Sequence, residues 1–423
     1  MKDCIKRTIV LSLSAFMLFS GIVLFNNWLS DISSGANVYH TGGTSGDENW
    51  AAANIHYVDD EYNVSSGDTL TIQAGATVYM DGHFGLRGNI TVENGGKLVI
   101  EGSSGNYVYM TSNATNPAAG DYGGIVVEDG GIAYVNYTFI GNATIGVDID
   151  GGNTEVNYCI INETSDLGIN FTGSGAPVIK NCTISNTGNG VITSGGISIE
   201  SNGLVTGCTI FNSNTTGVHV NSGTPKIEDT YIHNTTGNGI RINGTAVPEI
   251  EDCNISDTND HNIFIIGSSR NIVIYNSTIG YRNGYGVRDT IKIDATGDFV
   301  NLTLLNSTFV NDTFDVDSKG NLSIDYHVVV YVNNSADAPI PGATVDMLHN
   351  GSVHFSGTTD SNGEIWIQGI HFMVNATGYW IIGNYTVNVT HPDYQSSEQN
   401  TYVDSYQALD FQLTDTANPV ADA

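Results

Sequence analysis

Glu200, His219 and Arg241 place an acid, an imidazole and a guanidinium about one repeat apart in this 423-residue chain. General acid–base work needs a group that titrates near ambient pH and a partner that stabilises developing charge, and this trio offers both. A solvated polar face is the competing reading. Five of the 13 Lys and Arg residues, Arg241, Arg270, Arg282, Arg288 and Lys292, fall within one short segment of a chain whose formal net charge is -31. Such a cluster could hold a uronate or sulfated sugar through charge-assisted hydrogen bonds. Alternatively it neutralises Asp252, Asp257, Asp260, Asp289 and Asp294 nearby.

Whether these residues share a surface depends on the element that carries them. Between Tyr137 and Phe309 the chain repeats one phrase, in which a small residue recurs as Thr138, Cys159, Cys182, Cys208, Thr230, Cys253, Ser277 and Ser307. A single residue type at a period of about 21 to 30 residues is the mark of a solenoid. Runs rich in Ile, Val and Thr, bounded by Gly and Asn, predict strands rather than helices. A second strand follows in each coil, as at Gly196-Ile197-Ser198-Ile199 and Gly217-Val218-His219-Val220. Alternation at period two gives that strand one buried and one exposed face. Asn142, Asn186, Asn212, Asn234, Asp257 and Asn311, four positions past the ladder, suit the intervening turns because Asx residues tolerate the left-handed conformation. Stacking the second strands then gives an outward column of Asp148, Asn170, Ser198, His219, Arg241, Phe264 and Arg288. A parallel column holds Asp150, Thr172, Glu200, Asn221, Asn243 and Ile266.

These repeats resemble the right-handed parallel β-helix family, the fold of pectate lyases, many polysaccharide lyases and hydrolases, and surface proteins of no known activity. The resemblance covers roughly residues 60 to 320 and supplies the handedness. A pectate-lyase mechanism would also imply calcium held by carboxylates beside a basic proton acceptor. Asp148 and Asp150 lie several coils from Arg241, so that pairing is wrong here. Asp257 with Asp260, or His261 beside Asp260, makes a weaker case for glycoside hydrolysis. No metal-ligand motif is present, and no cofactor is expected unless a lyase reaction calls for calcium. In a parallel stack, neighbouring Cys residues sit about 4.8 Å apart with parallel Cβ vectors, a poor approach for disulfides. The ladder is therefore read as small buried filler.

Residues 63 to 320 are assigned to the β-helix, with 37 to 62 as a loosely ordered cap. Residues 1 to 36 hold basic residues before an apolar stretch from Thr8 to Phe25, a signal peptide or an N-terminal membrane anchor. Residues 325 to 414 predict a small β-sandwich of short strands. The order Pro341-Gly342-Ala343, Thr359-Asp360 and Asn384-Tyr385 resembles carboxypeptidase regulatory-like and related Ig-like accessory domains. Residues 415 to 423 form a linker or the start of a further domain, since Asn418-Pro419-Val420 resembles the opening of polycystic-kidney-disease-type Ig-like domains.

The acidity argues against nucleic acid and anionic membrane surfaces as partners. Asn-x-Ser/Thr sequons occur 22 times, against about eight or nine by chance, and suggest N-glycosylation outside the cell. Those at Asn333, Asn350, Asn375, Asn384 and Asn388 lie outside the solenoid. The composition resembles archaeal cell-surface proteins. Two readings follow. The first is a monomeric, noncatalytic extracellular protein in surface architecture, adhesion or glycan binding. The second is a polysaccharide lyase or glycoside hydrolase acting on acidic polysaccharides.

Overall fold

Each coil turns where one residue takes up the left-handed conformation. The residue before every ladder position, from Tyr137 through Asn181 and Asp229 to Asn306, has φ between 43° and 64°. Asn and Asp visit this region at low cost; Tyr137 and Tyr158 do not, and they stack on each other with centroids 4.7 Å apart. The residue four places past the ladder does the same, at Asn142, Asn186, Asn212, Asn234 and Asp257, with Glu163 filling that role in the Cys159 coil.

The computed structural model describes residues 35 to 416 except 82–87, 191–193, 268–269, 281–289, 296, 298 and 310–313. It is an all-β parallel β-helix with three strands per coil, stacked as three faces. The left-handed residue splits what reads in sequence as a single run: Val178–Lys180 lies on the first face and Thr183–Thr187 on the second, with Gly195–Ile199 on the third. Two strands per coil were expected, and the bend hidden at Asn181 makes the third. Residues 37 to 62 are not a loose cap. Asn37–Gly43 pairs in parallel with Ile55–Val64, which continues into the next coils. Trp50 closes this end, buried and stacked on His40 at 3.9 Å. The N-terminal leader or anchor lies outside the described residues, as do Cys4 and the segment after residue 416; no described helix is long and apolar enough to cross a membrane.

The ladder residue does more than fill space. In all eight coils its hydroxyl or thiol donates to the carbonyl two residues earlier, across the left-handed bend, at 2.7 to 3.4 Å. Several reach the neighbouring coil as well: the Cys159 thiol meets the Val135 carbonyl at 3.3 Å, and the Cys253 amide donates to Ser277 Oγ at 3.1 Å. Thr, Cys and Ser are the small residues that carry such a donor, which accounts for their interchange in these eight coils; in the two coils before Thr138 the same rung is held by Val108 and Ala76, which carry none. The described cysteines are free and buried. Burial holds the Cys182 thiol well above its ordinary value and pushes Cys253 up to about 12, so both stay protonated.

Inward Ile and Val residues form continuous columns, among them Ile184, Ile210, Ile232 and Ile255, all without exposure. Full burial of each contributes about 1.5 to 3 kcal/mol. A glycine stands at the start of several third-face strands because no Cβ fits: at Gly217, in the strand Thr216–Val220, it would lie 2.4 Å from Ile232 Cγ2 and 2.7 Å from the Gly239 carbonyl. At the equivalent place in the next coil but one stands Asn262, buried, with its amide donating to the Ile255 and Gly280 carbonyls.

The parallel stack ends in a strand that serves two sheets. Gly320–Asn334 pairs in parallel with Val300–Leu305 through its first half and with Gln407–Leu413 through its second. Along both halves it pairs antiparallel with Glu364–Asn375, and the register slips between Ile324 and Asp325, where the sequence pattern changes. A four-stranded antiparallel sheet of Ser352–Thr358, Thr344–His349, Asn384–His391 and Tyr394–Tyr402 packs over it. Val328, Val330, Val345, Val387 and Phe411 fill the space between. Phe309, Phe314 and Phe372 meet at 5.7 to 6.0 Å where the last coil joins this module.

The donor rule makes a prediction at Thr230, whose Oγ1 lies 2.8 Å from the Glu228 carbonyl. Thr230→Val keeps the volume and removes one of the two donors to that carbonyl, the Gly207 amide at 3.2 Å remaining, so urea denaturation should show a loss of about 0.5 to 1.5 kcal/mol. Thr230→Ser should stay close to the parent. Equal stability of the Val and Ser proteins would contradict the rule.

Candidate functional site

Backbone register on the third face determines which outward residues are neighbours. Asp148 pairs with Asn170, Asn170 with Ser198, Ser198 with His219, His219 with Arg241, and Arg241 with Phe264. The column therefore runs as the sequence predicts up to Phe264. The next rung is Lys292 rather than Arg288, and Asp315 follows it. Gly286-Val287-Arg288 imitates the strand signature, but the paired strand in this coil is Ile291–Ala295. Arg288 and Arg282 lie outside the described residues.

Glu200, His219 and Arg241 are linked through two asparagines. Arg241 Nε donates to Asn243 Oδ1 at 3.0 Å, and Asn243 Nδ2 donates to Asn221 Oδ1 at 3.0 Å. Asn221 Nδ2 in turn donates to Glu200 Oε1 at 3.2 Å. The Asn243 amide also meets His219 Nε2 at 2.6 Å. With Oδ1 committed to Arg241, Asn243 presents N–H to the imidazole, so Nε2 accepts and the proton sits on Nδ1. That Nδ1 is buried without a partner. Arg241 lies over the Phe264 ring at 5.0 Å, and Lys292 approaches the same ring at 6.0 Å while pairing with Asp315 at 2.7 Å.

His219 is 2 % exposed. Burial first, and then the charge of Arg241, lower its pKa from 6.5 to about 4. A neutral imidazole whose Nε2 is already occupied is a poor general acid or base near neutral pH. Arg241 keeps its charge, although burial lowers its pKa.

Arg270 does not belong to this surface. It is 5 % exposed and donates to the carbonyls of Ile242, Asn243, Gly244, Ala246 and Ile266. It clamps the turn that follows the Arg241 strand, so its part is positioning and not ligand contact. Sequence reading counted its charge and could not see the five carbonyls. His261 faces Asp260 at 3.3 Å and Asn238 at 3.1 Å. At the other end, burial raises the pKa of Asp148, four rungs or about 19 Å from Arg241. Among the described residues no three His, Cys, Asp or Glu side chains are grouped to hold a metal ion.

Recesses lie elsewhere. One of about 820 Å³ sits where the last coil meets the C-terminal module, and one of about 510 Å³ lies against Glu249, Glu251 and Tyr275 on the first face. The latter adjoins Lys226, which pairs with Glu228, Glu249 and Glu251 at 2.9 to 3.2 Å. Of the sequons outside the solenoid, Asn350 and Asn384 are exposed and Asn333, Asn375 and Asn388 half-buried; beside the ladder, Asn181, Asn254 and Asn276 are exposed.

Residues 42–156 match the family model described as a pectate-lyase like beta helix domain, and residues 194–385 match that of the right handed beta helix region. The second match runs past Asn334, beyond the last parallel coil. No curated protein matches the chain. Among solved structures, the Dettilon tailspike protein is 12% identical with a TM-score of 0.36, over 86% of this chain and 73% of that one. The GH87 alpha-1,3-glucanase catalytic unit from Streptomyces thermodiastaticus is 12% identical with a TM-score of 0.30, over 67% of this chain and 62% of that one. PfbA, a surface adhesin of Streptococcus pneumoniae, is 10% identical with a TM-score of 0.30, over 88% and 92%.

The histidine carries a pH prediction. The unfolded state takes up a proton near 6.5 and the folded state only near 4, so His219 lowers stability as pH falls through that interval and adds no further slope below it. NMR titration should find the His219 ring neutral, protonated on Nδ1, down to about pH 4. A midpoint above 6 would contradict the buried, Asn243-bonded geometry.

Proposed function

We propose that this is an extracellular or cell-surface protein whose third face binds acidic glycan without cleaving it, in surface architecture or adhesion. The observation that carries the reading is the Arg241–Asn243–Asn221–Glu200 chain of hydrogen bonds. It holds a guanidinium 5.0 Å over the Phe264 ring and leaves its terminal nitrogens to meet a carboxylate or sulfate. Preorganised amides alongside suit sugar hydroxyls. Export and N-glycosylation belong to this reading, supported by the apolar leader and the sequon density.

A lyase or hydrolase is the second reading, and exposed Glu200, one rung from His219 on the same face, is what favours it. The His219 environment weighs against it, because proton transfer asks for a group that titrates near ambient pH. Calcium would enter only through such a reaction.

The test is to incubate the purified protein with a panel of acidic polysaccharides, with and without calcium, measuring binding together with unsaturated or reducing ends. Binding without turnover is expected, weakened about tenfold or more in Arg241→Ala. Turnover abolished by that substitution would replace this reading with the enzymatic one.

A further inference from the structure

The binding column does not stop at Phe264. Lys292 and Asp315 occupy the next two rungs, and Asp315 with Phe314 and Val316 forms one wall of the 820 Å³ recess at the end of the solenoid. The opposite wall comes from the C-terminal module, through His371, Phe372 and the hairpin from Val374 to Ile381. One recess thus has one side from each part of the molecule, and Asp315 belongs both to its wall and to the His219–Arg241 column. From His219 to Asp315 is four rungs, or about 19 Å.

The lining chemistry differs from that around Arg241. Tyr379 is 70% exposed and Phe372 half-buried, offering flat carbon surface at the cavity. His371 donates Nδ1–H to the Val403 carbonyl at 2.8 Å, which leaves Nε2 as an acceptor. Asn375 Oδ1 is taken by the Thr377 amide and hydroxyl, both at 2.8 Å, while among the described residues none that lines the recess is Lys or Arg. Aromatic carbon with neutral or already paired polar groups suits a hydroxyl-bearing, uncharged sugar and not a uronate.

We infer that the joint cavity is a terminal subsite: it takes a neutral sugar unit of the same linear glycan whose acidic unit sits at Arg241. The inference rests on the glycan-binding reading of the third face. It gives the C-terminal module a direct part in recognition, and it makes affinity depend on chain length.

Defined-length acidic oligosaccharides, from one sugar unit to chains longer than 19 Å, are titrated into the full-length protein by calorimetry. Arg241→Ala and Tyr379→Ala are compared with the parent. Tyr379 is exposed, so its replacement leaves the fold intact. Tyr379→Ala should weaken long chains about tenfold and leave short ones unchanged, whereas Arg241→Ala weakens both. If Arg241→Ala weakens binding and Tyr379→Ala changes nothing at any length, the subsite is refuted and the third-face reading stands. If Tyr379→Ala weakens binding and Arg241→Ala does not, the continuous track is refuted. No binding by any chain contradicts both readings. An N-linked glycan found at Asn375 by mass spectrometry would fill the cavity mouth and overturn the proposal.

Discussion

One hydrogen bond, repeated in eight successive coils from Thr138 to Ser307, underlies the regular part of this molecule. The ladder hydroxyl or thiol donates to the carbonyl two residues back and closes a bend that a single left-handed residue opens. That carbonyl also accepts an amide from the preceding coil, as Glu228 does from Gly207, so the ladder donor fills its second lone pair and ties the bend to the stack. Because the bend recurs at one place in each of these eight coils, the strands on either side stay in register through them. Register then determines which outward side chains meet. His219 faces Arg241, and Arg241 faces Phe264, because the ladder beneath them does not slip.

A polar surface on such a frame is rigid by construction. Its side chains sit about 4.8 Å apart along the axis, close enough for asparagines to bond from coil to coil. Asn157 with Asn136, Asn212 with Asn186, and Asn321 with Asn301 all do so. The Asn243–Asn221 pair uses the same device, yet ends in a charge at each extremity, Arg241 and Glu200. That combination is what the proposed recognition surface rests on. The module at the C-terminal end is joined through the shared strand Gly320–Asn334, so the joint cavity has two walls held by one continuous backbone.

Much of this was legible in the residues. The small-residue ladder gave the coil period, and the alternation of the second strand placed Glu200, His219 and Arg241 on one face. Five of the six expected Asx turns fell where left-handed φ is found, since side-chain type alone favours them there, and Asn311 lies outside the described residues. Three things were not legible. The bend before the ladder is occupied by Tyr, Asn, Gly or Asp, so no residue type marks it, and a third strand went unseen. Arg270 looks like any other basic residue until its five carbonyl partners are assembled from two coils. Arg288 mimics a strand signature in a coil longer than its neighbours, and Lys292 holds the rung instead.

The central claim is that the ladder presents Arg241 and its hydrogen-bonded neighbours as a glycan-binding face. A crystal structure of the protein with a bound acidic oligosaccharide tests it most directly. The account predicts density along His219, Arg241 and Phe264, with an acidic group at the Arg241 guanidinium. Density confined to the first face, around Lys226 and its glutamates, would contradict it.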